Sequence, residues 1–129
     1  MFRKNKILIA EDDHDTSKLL GAELTRAGCE VAYAKDGEET LRIAQEQNFD
    51  VILMDMMMPE VTGEEVARTL QRSCNRAQII AVTAKKMSPG ELVRVGVTEL
   101  VDKPIIFTAL FDAIDRAIAV AIPERFVTA

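Results

Sequence analysis

Six residues in four short stretches could do chemistry: Glu11-Asp12-Asp13, Asp55, Thr83 and Lys103. Each stretch lies at the end of a short apolar run. Carboxylates gathered in one cleft repel one another, and part of that energy must be offset. A hard divalent cation with oxygen ligands does so; Mg²⁺ favours sites with one or two carboxylates, several waters and phosphate oxygens. Lys103 would add positive charge on the other side of the cleft. A carboxylate beside Mg²⁺, with an ammonium and a hydroxyl to hold an oxyanion, is a site for receiving a phosphoryl group. Transition-state charge spread over equatorial phosphoryl oxygens lies within reach of all three kinds of donor.

The elements that must position these groups can be read from the apolar runs. Residues 6–10, 30–34, 50–54, 78–82 and 98–101 are rich in Ile, Val, Leu and Met and mostly do not alternate with polar residues. Such continuous runs suit strands covered on both faces. Between them lie helical start signals: Asp36 three before Glu39, Thr62 three before Glu65, and Ser88 three before Glu91 with Pro89 at the first helical position. All three read as capping boxes. Leu20, Leu24 and Ala27, then Val66 and Leu70, then Leu110, Ile114, Ile118 and Ala121 recur at helical spacing. The spacing predicts a last helix from about 107 until Pro123 ends it, followed by a frayed tail over 124–129.

Five strand–helix pairs in strict alternation make an α/β fold with a parallel sheet wound on both faces. Ligands of such a sheet bind outside the carboxyl ends of its strands. The residues after runs one, three, four and five should therefore meet. The second run, followed only by Lys35-Asp36-Gly37, reads as the edge strand.

Length and composition bound the alternatives. At 129 residues the chain fits one domain, with a core over about 5–121 and a short tail. Hydrophobic residues at 48% and charged residues at 29% exclude disordered and low-complexity architectures. A net charge of −5 argues against direct nucleic-acid binding. Cys29 and Cys74 stand apart with no metal-type spacing and read as two reduced thiols. The basic start (Met1, Arg3, Lys4, Lys6) has an apolar stretch too short for a signal peptide, and no run nears the length of a membrane span. A cytoplasmic protein without membrane partners is the expectation.

Four stretches, in this order and spacing, resemble the receiver domain of two-component response regulators, of the single-domain chemotaxis-regulator type. They are Ile7-Leu8-Ile9-Ala10-Glu11-Asp12-Asp13, Asp50-Val51-Ile52-Leu53-Met54-Asp55-Met56-Met57-Met58-Pro59 with Gly63, Ile80-Ala81-Val82-Thr83-Ala84, and Val101-Asp102-Lys103-Pro104. The resemblance implies a flavodoxin-like (βα)5 fold with strand order 2-1-3-4-5. It implies Asp55 as acceptor of a phosphoryl group from a phosphohistidine on a sensor histidine kinase or histidine phosphotransfer protein. Mg²⁺ would be held by Asp12, Asp55 and the Met57 backbone carbonyl, with Glu11 acting through water. Thr83 and Lys103 would contact the phosphoryl group, and the Lys103–Pro104 bond would be cis. Such a domain is a signalling module that catalyses only its own phosphorylation and dephosphorylation. Its output would pass through a switch at Thr83 and position 100 to a downstream protein, or a second copy, at the face of the fourth helix, fifth strand and fifth helix.

Position 100, aromatic in the pattern, is Leu100 here. Met57 and Lys85, two residues beyond Asp55 and Thr83, are expected to shape the approach of hydrolytic water. Asp13 reads better as a helix cap than as a ligand, and His14, the lone histidine, as an exposed helix residue. Lys85, Lys86 and Arg94 read either as a partner-facing patch or as a solvated face. The chain could stand alone or be the receiver of a hybrid kinase or multidomain regulator in a phosphorelay. An aspartyl-phosphate phosphatase would want an acid where Met57 stands. A flavin module would want a Ser/Thr/Gly loop where Glu11-Asp12-Asp13 stands.

Overall fold

The computed structural model describes residues 5–73 and 76–127. Strands and helices alternate: β1 (Lys6–Ala10), α1 (His14–Arg26), β2 (Glu30–Ala34), α2 (Gly37–Glu46), β3 (Val51–Met54), α3 (Gly63–Arg72), β4 (Gln78–Thr83), α4 (Pro89–Val95), β5 (Glu99–Asp102) and α5 (Phe107–Val127). The five strands are all parallel, in the order β2-β1-β3-β4-β5. This is the flavodoxin-like order, with β2 at one edge.

Central strands explain the unbroken apolar runs. Ile7, Leu8, Ile9, Val51, Ile52, Ile80 and Ala81 are all fully buried, because successive side chains point to opposite faces and both faces are covered. Leu8, Ile52, Met54, Ile79 and Ala81 pack with Ile43 of α2, Val66 and Leu70 of α3, and Val95 of α4. Ile7, Ile9, Leu53, Ile80 and Val82 pack on the other side with Leu20 and Leu24 of α1 and Leu110, Ala113 and Ile114 of α5. Cys29 lies in this second layer, where burial pushes its thiol pKa up; Cys74 and the terminal residues 1–4 and 128–129 lie outside the described residues.

Helix starts follow the predicted caps with one exception. The Thr62/Glu65 and Ser88/Glu91 pairs form reciprocal capping boxes, Pro89 opens α4, and the Asp13 carboxylate accepts the Thr16 N–H. At α2 the Asp36 carboxylate accepts the Glu39 N–H at 2.8 Å, but Glu39 accepts the Lys35 N–H at 2.9 Å and not that of Asp36. The extended backbone at Asp36 leaves Lys35 as the donor within reach.

A second departure lies in α5. It continues to Val127, so Pro123 does not end it and the predicted tail is helical through 127. Proline's fixed φ lies in the helical range, and α5 continues through it in spite of the lost hydrogen bond and the ring's crowding of the carbonyl four residues back. Strand limits shift by a residue: β3 begins at Val51, β4 runs to Thr83, and β5 is Glu99–Asp102. None of the described helices is long and apolar enough to cross a membrane.

Candidate functional site: the carboxyl ends of the strands

Backbone hydrogen bonds carry the sheet ladder one residue past several strand ends. The Glu11 N–H donates to Ala34 O at 3.0 Å, the Asp55 N–H to Ala10 O at 3.0 Å, and the Lys103 N–H to Thr83 O at 3.1 Å. Glu11, Asp55 and Lys103 are thereby fixed by the sheet itself. Sites on such rigid elements hold their geometry better than sites on loops.

The side chains converge. Lys103 Nζ donates to Glu11 Oε1 at 2.6 Å and to Asp55 Oδ2 at 2.8 Å. Asp55 Oδ1 accepts the Thr83 hydroxyl at 2.8 Å and the Met57 N–H at 2.9 Å. Glu11 Oε2 accepts the Asp13 N–H at 3.1 Å. Thr83 is fully buried, while Asp55 and Glu11 are 6% and 4% exposed. Among the described residues, no buried side-chain polar atom lacks a hydrogen-bond partner.

Charge at the site is not balanced. Carboxylate oxygens of Glu11, Asp12 and Asp55 lie within 4.8 Å of one another, against the one ammonium of Lys103 that touches two of them. Burial pushes the Asp55 carboxyl up, but hydrogen bonds from Lys103, the Met57 N–H and Thr83 outweigh it, and the group ends below its ordinary value. For Glu11 burial wins over the Lys103 and Asp13 hydrogen bonds, and its carboxyl ends above the ordinary value. Burial disfavours the Lys103 cation, but Asp55 and Glu11 more than compensate and raise its pKa.

An all-oxygen donor set with two negative charges in excess fits a hard cation such as Mg²⁺. Asp12 is exposed at the rim of the site.

Gly63, at the start of α3, packs directly under Asp55. A Cβ there would come within 2.6 Å of Asp55 O and 2.7 Å of Met56 Cα, so only glycine permits this approach. Met57, beside the site, is 59% exposed. The Lys103–Pro104 peptide is cis. His14 is exposed at the first position of α1, and Leu100 is half-buried against the α2–α4 layer.

Residues 7–115 match the family model for the response regulator receiver domain. The chain belongs to that family. Among curated relatives, the Bacillus subtilis uncharacterized transcriptional regulatory protein YkoG is 31% identical over 117 residues, covering 89% of this chain and 51% of YkoG. Of solved structures, Vibrio cholerae chemotaxis protein CheY4 superposes with a TM-score of 0.82 at 31% identity, over 88% of this receiver and 98% of CheY4. Thermotoga maritima response regulator TrrA, in complex with Mg²⁺-BeF, gives 0.80 at 30%, over 88% and 98%. A co-crystal structure of the Saccharomyces cerevisiae histidine phosphotransfer protein Ypd1 and the receiver domain of its downstream response regulator Ssk1 gives 0.80 at 26%, over 88% of each chain. This receiver spans 34%, 51% and 27% of the length of the first three curated relatives it matches.

Five of the groups singled out in the sequence, Glu11, Asp12, Asp55, Thr83 and Lys103, meet at this one end of the sheet, and Asp13 caps α1 instead. Two features had no signal in the sequence. One is the double engagement of Lys103, which holds Glu11 as well as Asp55. The other is an ion pair between Lys85 and Glu64 of α3. Its partners are 21 residues apart, so no helical or strand spacing marks them.

Proposed function

We propose that the chain is a phosphorylation-switched signalling module that accepts a phosphoryl group on Asp55. A buried Asp55 carboxylate held jointly by Lys103 and Thr83, with two further carboxylates alongside, is the observation that carries this reading. The donor is a phosphohistidine on a sensor histidine kinase or histidine phosphotransfer protein, a reading supported by the Ypd1–Ssk1 co-crystal structure. The Asp55 carboxylate forms a bond to phosphorus as the N–P bond breaks, and the imidazole leaves with the electron pair and takes up a proton. Asp12, Asp55 and the Met57 carbonyl would hold Mg²⁺, with Glu11 acting through water; the acidic cluster and the complex of TrrA with Mg²⁺-BeF support a Mg²⁺ ion as the group bound. Bound there, Mg²⁺ would supply charge neutralisation for the transferring phosphoryl oxygens. Lys103 and Thr83, already on the two carboxylate oxygens, pass to the phosphoryl oxygens. The chain turns over no other substrate and catalyses only its own phosphorylation and dephosphorylation.

Phosphorylation adds about −1.5 to −2 charges beside Thr83 and Lys103. Both are drawn in, and with them the loops after β4 and β5. Leu100 follows, and the α4–β5–α5 face binds a downstream protein or a second copy of the chain. One receiver domain with a core over 5–121, working in the cytoplasm without membrane or nucleic-acid contact, is the simplest setting. A receiver cut from a hybrid kinase or larger regulator, relaying phosphate, is the second reading; the short share of each curated relative that this chain spans favours keeping it.

Incubation with acetyl phosphate and Mg²⁺ should give a phosphoryl adduct by mass spectrometry that hydroxylamine removes. Asp55→Asn should form none, and Met57→Asn should change the adduct's half-life. An adduct on Asp55→Asn would overturn the assignment.

A further inference from the structure

Lys85 sits two residues past Thr83 and starts very near the acceptor. Its backbone N–H donates to Thr83 Oγ1 at 3.2 Å, and that hydroxyl donates to Asp55 Oδ1 at 2.8 Å. A flexible four-carbon stem carries its ammonium, a compact point charge. The cleft nearby holds three carboxylates against one ammonium. Left to itself, a second ammonium so placed would be drawn into it. The Lys85 side chain instead reaches Glu64 in the first turn of α3, a pair with side chains 35% and 26% exposed. Glu64 is itself anchored, because its neighbour Gly63 packs against the Asp55 carbonyl. Glu91 of α4 is engaged in its own helix cap, where it accepts the Ser88 N–H at 2.8 Å.

We propose that Glu64 is a positioning residue of the phosphoryl site: it parks the Lys85 ammonium on α3 and so keeps it out of the carboxylate cleft. The proposal rests on Asp55 being the acceptor. With Lys85 parked, the cleft retains the two uncompensated negative charges that attract a divalent cation, and its rim stays open to the water that hydrolyses the acyl phosphate. Without Glu64, the ammonium swings over the rim, competes with Mg²⁺ and afterwards pairs with phosphoryl oxygens on the side from which water approaches.

The test compares wild type, Glu64→Gln and Glu64→Gln/Lys85→Ala. Mg²⁺ affinity is measured by calorimetric titration, and the half-life of the hydroxylamine-labile adduct is followed after acetyl phosphate is removed. Glu64→Gln should weaken Mg²⁺ binding about threefold and lengthen the half-life by at least about twofold, modest changes of the size expected for one partly exposed charge. The double variant should return both quantities toward wild type, since no ammonium is left to intrude. A merely structural role for Glu64 would lower the urea midpoint in both variants and would not be rescued by removing Lys85. Glu64→Gln indistinguishable from wild type, or a double variant that stays with the single one, overturns the proposal while Asp55 phosphorylation stands. A wild type that forms no adduct overturns the acceptor assignment and the proposal together.

Discussion

At the strand ends Asp55 and Glu11 are 6% and 4% exposed, and each of their carboxylate oxygens has a hydrogen-bond donor. By contrast, α4 is a helix of 7 residues with Val95 as its one fully buried side chain. Val93 on α4 is 76% exposed and Ile106 after β5 is 66% exposed. Leu100 between them is only half-buried. Polar groups are locked in one region, and apolar groups are left loosely covered in the other. Stability is spread unevenly in proteins, and elements that move belong to its low end. That division suits the proposed roles of a chemical site that must hold its geometry and an output face that must not.

Four measurements would break or sharpen this contrast. The largest effect is expected for Lys103→Ala, which leaves two close carboxylates without their shared cation. Breaking a fully buried pair costs about 3 to 5 kcal/mol. The Lys103 side chain is 22% exposed, so about 2 to 3 kcal/mol by urea unfolding is the discounted figure. A cost near zero would mean that the site is as well screened as a surface ion pair.

Next comes Gly63→Ala, whose Cβ would meet Asp55 O at 2.6 Å. Backbone must shift there, and about 1 to 3 kcal/mol of overpacking cost is expected, together with slower phosphorylation. Unchanged unfolding and unchanged labelling would show that the loop after β3 is softer than its packing suggests.

Smaller effects separate the two buried carboxylates by pH. Asp55 titrates below its ordinary value in the fold, so the stability it contributes is present above that ordinary value and is lost as pH falls through the lowered one. Glu11 titrates above its ordinary value, so its contribution is present below the ordinary value and is lost as pH rises through the raised one. Both ordinary values lie near about pH 4. Relative to wild type, Asp55→Asn should therefore lose stability as pH rises toward that value, and Glu11→Gln should gain it as pH rises beyond. Urea unfolding of the three proteins across acid and neutral pH gives the comparison. Parallel curves for the two variants would count against the asymmetry.

The smallest change belongs to the other region. Val93→Ser on the exposed side of α4 should alter stability by no more than about 0.5 kcal/mol. A larger loss would mean that this face is packed more firmly than its exposure indicates.

Local signals in the chain are enough for the strands, two of the three capping boxes and the residues that stand at the strand ends. The runs around Ile7, Ile52 and Ile80 lack polar alternation because both sheet faces are covered, and Thr62 with Glu65 is a start signal contained in four residues. Glu39 departs from its expected capping box because its choice between the Lys35 and Asp36 N–H groups depends on the backbone at Asp36. Pro123 reads as an end because propensity weighs against it, although α5 runs on to Val127.

Residue types at strand ends follow from the amino-acid sequence alone, since periodicity and capping act over a few neighbours. Which of them touch was decided by the folded chain. Lys103 lies 92 residues from Glu11 and 48 from Asp55, and Lys85 lies 21 from Glu64. Such distant partners are chosen by strand order and by how each helix seats on the sheet, and ion pairs between flexible side chains leave no periodic trace along the chain.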